Sequence, residues 1–100
     1  MSARIGTGST PDGNTNWKVF SSNGIYVDVD TSAAGFTTTP NYISSLDGRT
    51  RHWSAVGAGS IYNATPTSFR IYVQWVDRSA LTPANANEMN WHINWIGMEP

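Results

Sequence analysis

Cysteine is absent from this 100-residue chain, so no disulfide and no thiolate metal site can reinforce a small fold. Leucine is almost missing, with only Leu46 and Leu81, while Ile, Val, Thr, Tyr and Trp abound. That is a strand composition rather than a helix one. Charge is scarce at 13%, against about a quarter in an ordinary domain, and Lys18 is the only lysine. With a net charge of −1 and scattered arginines, no basic stripe exists to release counterions from a phosphate backbone, which argues against nucleic acid. No run approaches the ~20 apolar residues of a membrane-spanning helix, so no membrane partner is expected. Met1 to Gly8 lacks the apolar stretch of a signal peptide. The expectation is a protein made without a cleaved signal, or a domain of a longer chain with an extracellular or surface role.

What is present is polar and aromatic. A surface poor in charge and rich in Ser, Thr, Asn and Gly suits neutral polar ligands or other protein faces. Aromatics reach 12% with Trp 5, several times the usual tryptophan content. One thin-cored domain is expected, and domains of this size often gain stability by oligomerising. Residues 6–15 are almost wholly Gly, Ser, Thr, Asn, Pro and Asp and read as a linker, so residues 1–15 are expected as a leader and 16–100 as the domain.

Turn signals at Asp12-Gly13, Asn23-Gly24 and Asp47-Gly48 punctuate short apolar runs, which predicts a small all-β antiparallel sandwich. Strands are expected at 17–20, 25–30, 41–46, 51–56, 69–75 and 91–98. Over 69–75 the alternation is strict: Phe69, Ile71, Val73 and Trp75 point inward, while Arg70, Tyr72 and Gln74 point out. That outward row is aromatic-centred, and a thin monomer would gain from covering it. Gly57-Ala58-Gly59 marks a bulge or loop. Within the polar segment 77–90, Thr82-Pro83 has the form of an N-cap and first helical residue and predicts one short helical turn.

Tyr62-Asn63-Ala64-Thr65-Pro66-Thr67-Ser68-Phe69, followed by a strand and then Ile93-Asn94-Trp95-Ile96-Gly97-Met98-Glu99, resembles the H-type lectins, the snail agglutinins and C-terminal domains of discoidins. Pro40-Asn41-Tyr42-Ile43-Ser44-Ser45-Leu46 is similar to the central strand of that family, and the likeness runs over residues 17–99. The resemblance implies a sandwich that forms a trimer and binds galactose or N-acetylgalactosamine between subunits. The chain departs from the family where those lectins contact sugar. Their acidic residue falls in the loop Ser21-Ser22-Asn23-Gly24, which has no carboxylate, and their arginine falls near Val56. Their aromatic contacts follow the strand ending at Trp75, where this chain carries the extra residues 77–90.

The expected function is a carbohydrate-binding module, homo-oligomeric and trimeric, with a structural assembly knob as the alternative and no enzymatic activity. The expected ligand-binding residues are Asp77, Arg78, Asn85, Asn87, Trp91 and His92, gathered from the 77–90 segment and the start of the last strand. Trp53 and Trp91 each adjoin a histidine and are candidates for partly exposed rings, on which the C–H face of a sugar can stack, the alternative being that both cap the ends of the core. Trp17, Trp75 and Trp95 are assigned to the core. No cofactor or metal is expected, because His52 and His92 stand in no ligand spacing and Asp12-Gly13-Asn14-Thr15-Asn16 lacks the glutamate of a calcium loop. Asp28 and Asp30 are neighbours on one strand face rather than a pair across a cleft, which suits hydrogen bonding or a subunit contact better than glycosidase chemistry.

Overall fold

The computed structural model describes residues 3–100, and the first two residues of the expected leader lie outside them. Seven strands are formed: β1 (Arg4–Ser9), β2 (Lys18–Ser21), β3 (Gly24–Asp30), β4 (Asn41–Asp47), β5 (Ala55–Val56), β6 (Ser68–Trp75) and β7 (His92–Glu99), with a helix α1 (Pro83–Glu88). They make two antiparallel sheets, a three-stranded one ordered β1-β7-β4 and a four-stranded one ordered β2-β3-β6-β5.

The period-two pattern of the sequence decides which side chains lie between the sheets. Ile25, Val27 and Val29 of β3 and Phe69, Ile71, Val73 and Trp75 of β6 are buried from one side. Tyr42 of β4 and Ile93 and Trp95 of β7 meet them from the other. Each fully buried aliphatic or Phe side chain contributes about 1.5–3 kcal/mol. Tyr42 lies 4.6 Å from Phe69, centroid to centroid, and its hydroxyl donates to the Thr65 carbonyl at 2.7 Å, so the buried phenol is satisfied.

The leader is where the fold departs furthest from the sequence reading. Arg4–Ser9 is an edge strand paired with β7 from Arg4↔Glu99 to Ser9↔Asn94, and the following segment carries on into the core with Thr15 and Trp17 buried. Gly6 and Gly8 face inward. A methyl group at Gly6 would stand 2.6 Å from the Ala34 Cβ, and one at Gly8 would stand 2.8 Å from the Trp95 ring. These glycines make room for large rings; they are not a sign of a flexible chain.

The strand expected over 51–56 is mostly a turn. Arg51 takes a left-handed conformation (φ 68°), His52–Ser54 form a 3-10 turn, and only Ala55–Val56 pair with β6. Next, Gly57 (φ 107°) lies against the Tyr72 carbonyl, where any Cβ would collide with it. The helical turn expected at Thr82-Pro83 is present as α1, with the Thr82 hydroxyl accepting from the Asn85 N–H at 3.1 Å.

Candidate functional site

The outer face of the four-stranded sheet carries a cluster of exposed rings. Register sets Tyr26 opposite Tyr72 and Asp28 opposite Arg70, all on this face. Two further rings arrive by irregularities. A register shift in β2 between Val19 and Ser21 turns Phe20 onto Tyr72, at 5.1 Å and 74°. A single bridge between Tyr62 and Arg70 brings the Tyr62 ring to the other side of Tyr72, at 5.0 Å and 87°. Phe20 and Tyr62 remain 63% and 50% exposed.

Beside these rings runs a groove of about 470 Å³ whose lining includes Phe20, Tyr62 and Tyr72, with Asn23, Gln74 and Ser60 supplying polar atoms. None of its lining residues is charged. Alongside it, Arg70 and Asp28 of this face pair with one another. Arg70 donates to both Asp28 carboxylate oxygens, at 2.7 and 3.0 Å, and its guanidinium lies 4.3 Å from the Tyr26 ring centroid. Hydrogen bonding from Arg70 holds the Asp28 carboxyl below the usual aspartate range.

The six residues expected to bind ligand do not converge. Trp91 is fully buried, its ring 5.0 Å from Trp75 and its indole N–H donating to the Thr50 carbonyl at 2.9 Å. It is a core residue and cannot stack on a sugar, which corrects the expectation from sequence. Alternation over 91–98 sets Trp91 on the same face as Ile93 and Trp95, and its place at the strand's end does not expose it. Asn87 is turned toward the chain: its amide accepts from the Thr15 N–H and donates to the Thr15 carbonyl, both at 3.0 Å. His92 lies elsewhere, between Asp47 (3.6 Å) and Asp12 (3.9 Å), with Nδ1 2.8 Å from the Asn90 carbonyl. Asp77 and Asn85 do border neighbouring clefts that share Arg51, Trp75 and Ser79, while Arg78 is exposed and lines neither. Asp77 is already engaged there, accepting from the Ser79 hydroxyl at 2.6 Å and N–H at 2.9 Å, which lowers its carboxyl pKa. Trp53, by contrast, is 89% exposed.

A second apolar patch lies on the outer face of the three-stranded sheet. Ile5 stands opposite Met98 and Ile43 opposite Ile96, all four exposed. Among the described residues no three His, Asp or Glu side chains cluster as metal ligands, and no helix is long and apolar enough to cross a membrane. No family model matches the chain, and no curated protein matches it.

Proposed function

We propose that this domain is a carbohydrate-binding module whose ligand lies in the aromatic groove of the four-stranded sheet, presented on a homo-oligomer. The observation that carries the proposal is an uncharged concavity flanked by the rings of Phe20, Tyr62 and Tyr72 and edged by the amides of Asn23 and Gln74. The C–H face of a sugar stacks on such rings, while amides both donate to and accept from its hydroxyls. The lack of a charged lining favours a neutral sugar.

The H-type lectin resemblance supports the same groove from a different direction. Both the loop that holds an acidic residue in those lectins, here Ser21–Gly24, and the place of their arginine, here Val56, contribute to its lining. In this chain Asn23 and Val56 stand at those places, so ring stacking and amide hydrogen bonds take over the work of the charges. A galactose- or N-acetylgalactosamine-type ligand and a trimer follow from that resemblance. One stacked sugar with a few hydrogen bonds corresponds to about 4–6 kcal/mol, roughly millimolar to high micromolar, and several sites on one oligomer raise avidity for clustered glycans.

Titration calorimetry with galactose, N-acetylgalactosamine and a multivalent glycan tests the proposal. Binding that is lost in Phe20→Ala supports it, and no heat with any of the three at tens of millimolar rejects it. A second reading, a trimeric assembly knob without a sugar ligand, is favoured by the exposed aliphatic patch of Ile5, Ile43, Ile96 and Met98. A tight oligomer that binds no glycan would select it.

A further inference from the structure

Tyr72 is the central ring of the groove, with Phe20, Tyr26 and Tyr62 all within 5.8 Å, centroid to centroid. Its neighbours two residues away on the same strand face are Arg70 on one side and Gln74 on the other. Gln74 lines the groove and Arg70 does not. The Arg70 guanidinium, fixed in a fork on Asp28, also donates from Nη1 to the Tyr72 hydroxyl oxygen at 3.3 Å. It lies over the Tyr26 ring at 4.3 Å and 5.9 Å from the Tyr72 centroid. A phenol oxygen that accepts from a cation on one side holds its own proton on another, and donation from a charged partner strengthens the next hydrogen bond in the chain.

We propose that Arg70, held by Asp28, is a positioning residue for the groove: it locks the Tyr72 ring and turns the Tyr72 hydroxyl proton toward Gln74 and the ligand, making Tyr72 a donor to a sugar oxygen. This rests on the glycan reading of the groove. Asn23, Gln74 and Tyr72 then divide the work, the amides bonding to hydroxyls of either sense and Tyr72 selecting an acceptor. Lysine cannot replace Arg70, because a point-charge ammonium lacks the planar fork that meets Asp28 and Tyr72 together.

The pH dependence follows from the pair. Arg70 faces Asp28 from β6, Lys18 acts on it from β2, and Tyr26 and Tyr72 flank Arg70. Asp28 carries a lowered pKa, so the clamp is intact at neutral pH and opens only as the pH falls below the ordinary aspartate range of about 3.9.

The test is a double-mutant cycle read by NMR titration of the full chain with galactose and N-acetylgalactosamine. Arg70→Lys and Tyr72→Phe should each weaken binding about 3–10-fold, the scale of one hydrogen bond. The double variant should be no weaker than the worse single one. Wild-type affinity should also drop on acidification below about pH 4, a step that Asp28→Asn removes. Fully additive losses, or an Arg70→Lys variant that binds as wild type, would overturn the positioning role. If neither sugar binds the wild type, the glycan reading fails, and the ζ-carbon shift of ¹³C-labelled Tyr72 decides the positioning role alone. Arg70→Lys must move that shift, and an unchanged shift overturns the role.

Discussion

The two sheets turn different outer faces to their surroundings, though both are built by the same alternation. The three-stranded sheet shows an aliphatic patch, Ile5, Ile43, Ile96 and Met98, with Asp47 and His92 3.6 Å apart farther along the same face. The four-stranded sheet shows rings, with the Arg70–Asp28 ion pair set beside them. An aliphatic patch gains mainly from being covered, since it offers no directional bond, whereas rings edged by amides offer both a stacking surface and oriented hydrogen bonds. Under the proposed function, the first face would serve assembly and the second would bind the ligand.

The largest effect that could break this assignment is a loss of binding. Phe20→Ala and Tyr62→Ala should each weaken sugar binding at least about tenfold, in keeping with about 1.5–3 kcal/mol for a buried ring contact. Because both rings are exposed, the unfolding midpoint should barely change. The paired variant Ile43→Lys with Ile96→Lys should do the opposite, shifting the oligomer toward monomer in light scattering while single-site affinity persists. If it abolishes binding instead, the two faces are not separate in function.

Gly8→Val puts a branched side chain against the Trp95 ring and should cost about 1–3 kcal/mol by denaturant unfolding, as overpacking does. A smaller effect is expected from acid. Glu99 Oε2 accepts from the Thr37 N–H and from the N–H and hydroxyl of Thr38, and the backbone bond from Thr38 leads in holding its pKa below the ordinary glutamate value. Its contribution is therefore complete above about pH 4.3 and is lost as the pH falls through the lowered pKa. Thermal unfolding followed from pH 6 to pH 3 should show that loss, and Glu99→Gln should flatten it. Smallest of all, Asp77→Ala should leave sugar binding unchanged, since Asp77 borders the Arg51 cleft and not the groove.

Much of the framework was legible from the residues. The alternation over 69–75 assigned the inward and outward side chains of β6 from Phe69 on, including the outward Tyr72, and Thr82-Pro83 marked the start of α1. Two kinds of feature escaped. Gly6 and Gly8 looked like linker glycines because the rings that require them, Phe36 and Trp95, are distant in sequence. The groove escaped because Phe20 joins it through a register shift and Tyr62 through a lone bridge, and neither has a periodic signature. Trp91 was misjudged for a related reason. Alternation with Ile93 and Trp95 pointed it inward, but nothing local shows that Trp75, Thr50 and Gly48 close over the indole at the strand's end.

Chemical-shift mapping on ¹⁵N-labelled protein titrated with galactose and N-acetylgalactosamine tests the central claim most directly. Shifts should concentrate in residues 20–24, 56–62 and 72–74, the segments that line the groove. Shifts centred instead on Arg51, Asp77 and Asn85 would overturn it and move the site to the clefts beside Arg51.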